Sequence, residues 1–109
     1  MPNTFKVLGQ QAPAATTQTR LYTVPAGTST VVSSVNICNR AAANATFRVA
    51  VQPANAALSN THYVAFDTNL PPNDTISLSL GLSLGATDVI SVYANSASVT
   101  FSMFGSEIS

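Results

Sequence analysis

The stretch TISLSLGLSLG, residues Thr75–Gly85, alternates between large apolar and small side chains along its whole length. A period of two places the apolar residues on one face of a β-strand, whereas a helix would scatter them around its circumference. The stretch therefore predicts a strand with one apolar face, which can kink at Gly81. The side chains on that face are Ile76, Leu78, Leu80, Leu82 and Leu84.

The residues that follow this stretch continue the same alternation. Asp88–Asn95 and Ser98–Gly105 each predict a strand, and the short gap between them predicts that they form a closing hairpin. The second strand has small polar residues on one face. Its opposite, core-facing side chains are Val99, Phe101 and Met103.

Five segments before residue 75 also alternate, and each predicts a short strand. These segments are Thr4–Gly9, Arg20–Val24, Thr30–Cys38, Thr46–Gln52 and His62–Phe66. In the fourth segment the alternation places Phe47, Val49 and Val51 inward. Asp67–Asp74 predicts a turn, because its two prolines cannot donate hydrogen bonds to a central sheet ladder.

The segment LYTVPAGTSTVVSSVNICN, Leu21–Asn39, joins the second and third of these strands. Pro25 fixes its own backbone angle and Gly27 permits a positive one, so a turn follows the second strand. The segment is therefore either a hairpin or a chain that passes from one sheet to the other. After the turn, the alternation places on one face Val31, Ser33, Val35 and Ile37.

Eight short strands that are each apolar on one face can bury those faces when two sheets pack against each other. The predicted fold class is all-β, an antiparallel β-sandwich of about eight strands that is either jelly-roll-like or immunoglobulin-like. A chain of 109 residues has room for one such domain, and we expect residues 20–109 to form it. Residues 1–19 are predicted to be an N-terminal arm with one short strand, since Gln10–Thr19 is small, polar and without an apolar period.

Charged residues are unusually few. They make up 7% of the chain, against roughly 25% in an ordinary domain, and 26 Ser and Thr and 9 Asn provide a neutral polar surface instead. The net charge is zero, so the sequence offers no basic stripe for nucleic acid and no basic amphipathic helix for a membrane surface. Because few charges oppose association, we expect much of this surface to contact neighbours in an assembly.

Residue types that support catalysis or metal binding occur singly. Cys38 and His62 are the only cysteine and histidine, and neither has a partner at a catalytic or metal-binding spacing. Four oxygen donors near the proline turn have the chemistry to ligate Ca²⁺, but they lack the spacing of a calcium loop and are ordinary turn residues. They are Asp67, Asn69, Asn73 and Asp74. The sequence therefore predicts no enzyme activity, no cofactor and no metal.

Several segments together resemble a known group of proteins. They are LYTVPAGTSTVVSSVNICNR, ATFRVAV, PPNDT, TDVISVYA and VTFSMFGSEI. In residue pattern they are similar to small virion structural proteins and fibre-attached domains of tailed bacteriophages, cyanophages among them, over about Gly9–Ile108. The resemblance implies a non-enzymatic structural role and assigns no site. Because no fibre repeat or receptor-binding extension accompanies the domain, it favours a capsid decoration or cement protein, with a neck, tail or fibre position as the alternative.

The first functional hypothesis is a virion structural module assembled in the host cytoplasm, which agrees with the single cysteine and with the lack of a signal-peptide-like apolar run. We expect a homo-oligomer, with a trimer favoured by analogy to decoration proteins at lattice three-folds, and contacts with the major capsid or tail protein. Phe5 and Val7 are candidate interface residues, on the hypothesis that the arm adds to a neighbouring subunit's sheet. An ordinary first strand within its own subunit is the alternative. Arg40 and Arg48 are candidates for inter-subunit ion pairs, with solvated arginines as the alternative.

The second functional hypothesis is a β-sandwich at a tail tip that binds a carbohydrate or receptor through loop residues. Tyr22, Tyr63 and Tyr93 are its candidate contacts. The chain has no Trp and only 7% aromatic residues, and this scarcity of stacking platforms weakens the hypothesis.

Overall fold

The computed structural model describes residues 3–79 and 81–108. Within these residues nine β-strands form two antiparallel sheets, and the predicted β-sandwich is confirmed. The strands are β1 (Asn3–Gln11), β2 (Thr19–Thr23), β3 (Ser29–Asn39), β4 (Ala45–Gln52), β5 (Tyr63–Leu70), β6 (Thr75–Leu78), β7 (Leu82–Leu84), β8 (Val89–Ala94) and β9 (Val99–Ile108). Two short 3₁₀ turns lie between β4 and β5, at Pro53–Asn55 and Asn60–His62.

The order of the strands selects one of the two predicted topologies. The first sheet has the order β1-β9-β3-β6, with β7 also paired to β3, and the second has the order β2-β8-β4-β5. Since β6 and β7 both pair with β3, they act as one interrupted strand. The chain then changes sheet at every connection except β4 to β5, which gives the interleaved order of a jelly roll.

Two connections for which the sequence allows or predicts a hairpin cross from one sheet to the other. Leu21–Asn39 passes from one sheet to the other, because β2 pairs with β8 whereas β3 pairs with β9. The closing hairpin predicted for Asp88–Asn95 and Ser98–Gly105 is wrong, since β8 and β9 belong to different sheets. β8 lies between β2 and β4, and β9 lies between β1 and β3, so neither strand has a free edge for the other.

The leucine-rich stretch faces the core as predicted, but it is two strands. Gly81 has a positive φ of 61° between β6 and β7, where the kink was predicted. Leu84 is buried, and the other described apolar side chains of this face are partly buried against the core. They are Ile76, Leu78 and Leu82. The prediction for Leu80 lies outside the described residues.

The face of β3 changes partway along the strand. Val32, Val35 and Ile37 are buried, while Val31 is 39% exposed. The register of β3 against β9 shifts between Val32 and Ser34, so Ser33 is an inserted residue that reverses the alternation. The predicted shared face of Val31, Ser33, Val35 and Ile37 is therefore wrong at its first two positions.

The core lies between the two sheets and draws on both of them. Phe47 from β4 and Phe101 from β9 meet edge to face, with ring centroids 6.3 Å apart. Val99, Phe101 and Met103 are fully buried, as the alternation predicts. On β4, Phe47 and Val49 are buried and Val51 is partly buried against the same core.

The first strand belongs to the sheet of its own chain. β1 pairs with β9 from Asn3 opposite Ile108 to Gln11 opposite Phe101, and Leu8 joins the core. Of the two alternatives for this segment, the structure has the ordinary first strand within its own subunit. Phe5 is 80% exposed and Val7 about half exposed.

Deletion of residues 1–19 is expected to unfold the domain, or to lower its free energy of unfolding by at least about 2 kcal/mol, because it removes a buried leucine and opens the edge of β9. Urea denaturation measures the change. Phe5→Ser is the control, since an exposed side chain in the same strand should contribute less than about 0.5 kcal/mol. A truncated protein as stable as the full chain would instead support an arm that exchanges between subunits.

Gly105 predicts a second stability effect, because a Cβ there would collide with the carbonyl oxygen of Val31 and lie 3.0 Å from Val32 Cα. We expect Gly105→Ala to destabilise the fold by about 1–3 kcal/mol. Gly85→Ala is the matched control, since the added methyl would meet only Asp88 Oδ2 at 3.8 Å. Equal denaturation midpoints for the two variants would contradict this close approach between β9 and β3.

Candidate binding surfaces

The outer face of the first sheet carries an exposed apolar patch that crosses three strands. Phe5 and Val31 both pair with Ser106, and Val7 pairs with Phe104. Directly paired residues project from the same face of a sheet, so these side chains lie together. We call them the apolar patch; its members are Phe5, Val7, Val31 and Phe104.

Sequence reasoning found half of this patch. Phe5 and Val7 are the predicted interface residues, and the structure places them side by side on β1. Val31 was missed because the inserted Ser33 turns it outward. The outward position of Phe104 could have been predicted from the sequence, because this large apolar residue is out of phase with the core-facing Phe101 and Met103.

The outer face of the second sheet carries a different group of side chains, centred on Arg48. Its guanidinium carbon lies 4.2 Å from the ring centroid of Phe66 and 4.4 Å from that of Tyr93, so the cation is held between two rings. Arg48 Nε donates to Asp67 Oδ1 at 2.6 Å and Nη2 donates to Oδ2 at 3.2 Å. This pairing lowers the pKa of Asp67 and raises that of Arg48. The predicted inter-subunit role of Arg48 therefore competes with an ion pair inside the chain.

An inserted residue in β5 brings this group together. Val49 pairs with Ala65 and Phe47 pairs with Thr68, so β5 has one residue more than β4 between these pairs. Asp67 has a positive φ of 49° at this bulge. The predicted turn at Asp67–Asp74 is wrong in its first half, because β5 continues through the bulge to the buried Leu70.

Tyr63 completes the group from the start of β5. It pairs with Ala50, and its ring packs edge to face on Phe66 with centroids 4.8 Å apart. We call the group the aromatic cluster; its members are Arg48, Tyr63, Phe66, Asp67 and Tyr93. The predicted tyrosines Tyr63 and Tyr93 thus come together, although both lie on strands rather than in loops.

The β4–β5 loop, residues 53–62, packs on the same outer face and is fixed by hydrogen bonds. Beneath it Gln52 Nε2 donates to the carbonyl oxygen of Ala56 at 2.9 Å, and the buried Ser91 hydroxyl donates to Gln52 Oε1. The Ala54 amide donates to Asp88 Oδ1 at 2.8 Å. Ala54 and Asn55 have positive φ angles of 51° and 59°, a conformation that costs roughly 1–2 kcal/mol for a residue such as alanine.

Two clefts border this loop. A cleft of about 300 Å³ is lined mainly by polar side chains. Its lining residues are Gln18, Arg20, Gln52, Leu58 and Ser91. A second cleft of about 440 Å³, which we call the aromatic cleft, is lined by Asn60, Tyr63 and Phe66. The aromatic cluster and the loop therefore share one concave surface.

Tyr22, the third predicted tyrosine, has a structural position instead. Its hydroxyl lies 2.9 Å from Thr30 Oγ1 and donates to Glu107, whose other carboxylate oxygen lies 2.8 Å from Lys6 Nζ. Burial, reinforced by the hydrogen bond to Glu107, raises the pKa of Tyr22 to about 12. The hydrogen bonds from Lys6 and Tyr22 lower the pKa of Glu107. These contacts tie the two sheets together at one end.

The remaining sequence candidates are dispersed. Arg40 is exposed and donates within the chain to Thr100 Oγ1 at 2.8 Å and to the carbonyl oxygen of Ala97 at 3.1 Å. His62 Nδ1 accepts the amide hydrogen of Ser59 at 3.2 Å. Among residues 3–79 and 81–108, no three acidic, histidine or cysteine side chains are grouped as metal ligands would be.

No helix in the described part of the chain is long and apolar enough to cross a membrane. No protein-family model matches the chain, and a comparison with curated proteins gave no match. The two outer faces of the sandwich are therefore the basis for the functional proposals that follow.

Tyr22→Phe should remove one late step from the alkaline titration of the protein. In the native protein the Tyr22 hydroxyl keeps its proton up to a pH of about 12, whereas an unfolded tyrosine loses it near about 10. The stability that this group contributes is therefore fully present below pH ~10 and is lost as the pH rises through ~12. Tyrosinate absorbance during a pH titration measures the step. A variant that retains the late step would contradict this assignment to Tyr22.

Proposed function

We propose that the protein is a non-enzymatic structural protein of a tailed-phage virion, acting as a capsid decoration or cement protein through self-association and lattice contacts. The apolar patch is the observation that supports this proposal best. Its four side chains lie on an outer sheet face whose neighbouring positions are occupied mainly by serine. An apolar centre with a polar rim is the usual composition of a protein interface.

The scarcity of charge favours the same function. The residues paired with the patch, Ser34 and Ser106, are neutral. Charged groups at an interface must lose their hydration, and this cost often cancels the attraction between them. Serine hydroxyl groups need only hydrogen bonds when they are buried. A serine-rich rim therefore opposes association less than a charged rim would, and burial of the apolar patch makes a larger net contribution to the free energy of association.

The patch lies next to a free sheet edge. β1 carries Phe5 and Val7 and pairs only with β9, so its other edge has unpaired backbone groups over the described residues. A neighbouring chain can contact the apolar patch and hydrogen-bond this edge at the same time. We therefore propose that the oligomer, for which a trimer remains the favoured state, is built around β1.

The double variant Phe5→Ser/Val7→Ser should lower self-association and incorporation into particles. Sedimentation velocity is expected to show an oligomer for the unchanged protein and a monomer for the variant, because the variant removes much of the apolar area. Val64→Ser is the matched control, since Val64 is 41% exposed on the other sheet. Binding to purified particles that lack the protein measures the second effect.

A monomer at high concentration that also fails to bind such particles would contradict the proposed function. Copy number in purified virions, measured by quantitative mass spectrometry, separates the positions within the particle. Hundreds of copies correspond to capsid decoration, whereas about a dozen correspond to the neck or tail.

A further inference from the structure

We propose that the aromatic cleft binds a neutral saccharide unit of a glycan, with Phe66 as the stacking platform and Asn60 and Tyr63 as partners for its hydroxyl groups. This site lies on the second sheet, whereas the apolar patch lies on the first. The inference therefore adds a ligand to the proposed structural function and does not depend on it.

The concentration of aromatic side chains is the first observation that carries the proposal. The chain has three Tyr, five Phe and no Trp, yet Tyr63, Phe66 and Tyr93 gather in one cluster around Arg48. Phe66 is 53% exposed and lines the aromatic cleft. An exposed ring beside a concave surface provides a flat apolar platform for the C–H face of a pyranose.

The polar groups next to this platform match the hydroxyl groups of a sugar. The amide of Asn60 both donates and accepts hydrogen bonds, and so does the hydroxyl of Tyr63. Donors and acceptors therefore lie on the same side of the sheet as the ring, which fits a ligand with one apolar face and a polar rim.

The charges of the cluster favour a neutral ligand. Arg48 and Asp67 neutralise each other through two hydrogen bonds, and the guanidinium carbon lies within 4.4 Å of two ring centroids. An anionic sugar or a nucleic acid would need an unpaired cation, and the cluster has none among the described residues. A neutral hexose can be bound through hydrogen bonds and ring stacking alone.

The site is already arranged before a ligand arrives. Arg48 lies against the rings of Phe66 and Tyr93, and Tyr63 packs edge to face on Phe66. Hydrogen bonds between Ser59 and His62 fix the turn that contains Asn60. A preformed cleft spares the ligand the entropy cost of ordering side chains and loop.

Titration of the ¹⁵N-labelled protein with maltose, cellobiose and lactose tests the proposal by two-dimensional NMR. At least one of these neutral disaccharides should shift the amide signals of residues 60–67 and of Tyr93 in a saturable way. Phe66→Ser should weaken binding at least tenfold, and Asn60→Ala, which alters only the rim, should weaken it about threefold. Ser79→Ala is the control, because it changes an exposed residue outside both the apolar patch and the aromatic cluster, and it should bind like the unchanged protein.

Three results would overturn the proposal. They are the absence of saturable shifts with all three disaccharides, unchanged binding by both Phe66→Ser and Asn60→Ala, and saturable shifts at this site with sialyllactose or a single-stranded oligonucleotide alone. The spectrum of each variant shows whether it is folded, and Asn60→Ala decides the outcome if Phe66→Ser is not. Self-association of the unchanged protein is measured separately by sedimentation velocity, so a failure of the proposed structural function remains distinguishable.

Discussion

The two sheets share one core, and each strand can send only every second side chain into it. One inserted residue exchanges the core-facing and outward-facing side chains for the rest of the strand. In the first sheet this happens at Ser33, close to where Gly105 lets β9 approach β3. The apolar patch depends on this insertion. If Ser33 were not an extra residue in the register, Val31 would share the core-facing side of β3 with Val35 and Ile37, and it would not lie beside Phe5 on the outer face.

The second sheet also contains an inserted residue, in β5, and here it brings a different group of side chains together. The bulge at Asp67 keeps the carboxylate on the outer face with Phe66, where a regular strand would send one of these two neighbours inward. Arg48 sits opposite Tyr93 on the adjoining strand, so an ion pair and two ring contacts meet at one side chain. Both candidate surfaces therefore arise where the strands depart from regular alternation, and the core itself is formed where they follow it.

This division explains what could be predicted from the sequence. The buried faces of β4 and β9 follow from a period of two, and so does the leucine face that Gly81 interrupts. In the sequence, the bulges at Ser33 and Asp67 change only the phase of the apolar–polar alternation. A short strand with apolar residues on both faces does not reveal such a change. The choice between hairpin and sheet crossing at Pro25–Gly27 depends on which strand edges are free, and local turn chemistry allows both. The cluster around Arg48 joins residues from three strands, so no spacing pattern in the sequence predicts it.

Half of the charged residues pair with one another within the chain. Of four basic and four acidic residues, Lys6 pairs with Glu107 between strands and Arg48 pairs with Asp67 on the outer face. The first sheet then offers a partner an apolar patch with serines, and the aromatic cleft of the second sheet offers rings with amide and hydroxyl groups. Because the two sheets face opposite directions, a contact through the apolar patch would leave the aromatic cleft turned away from that contact. A sandwich attached to a particle by its first sheet would therefore present its second sheet to the surroundings, where a glycan can reach it.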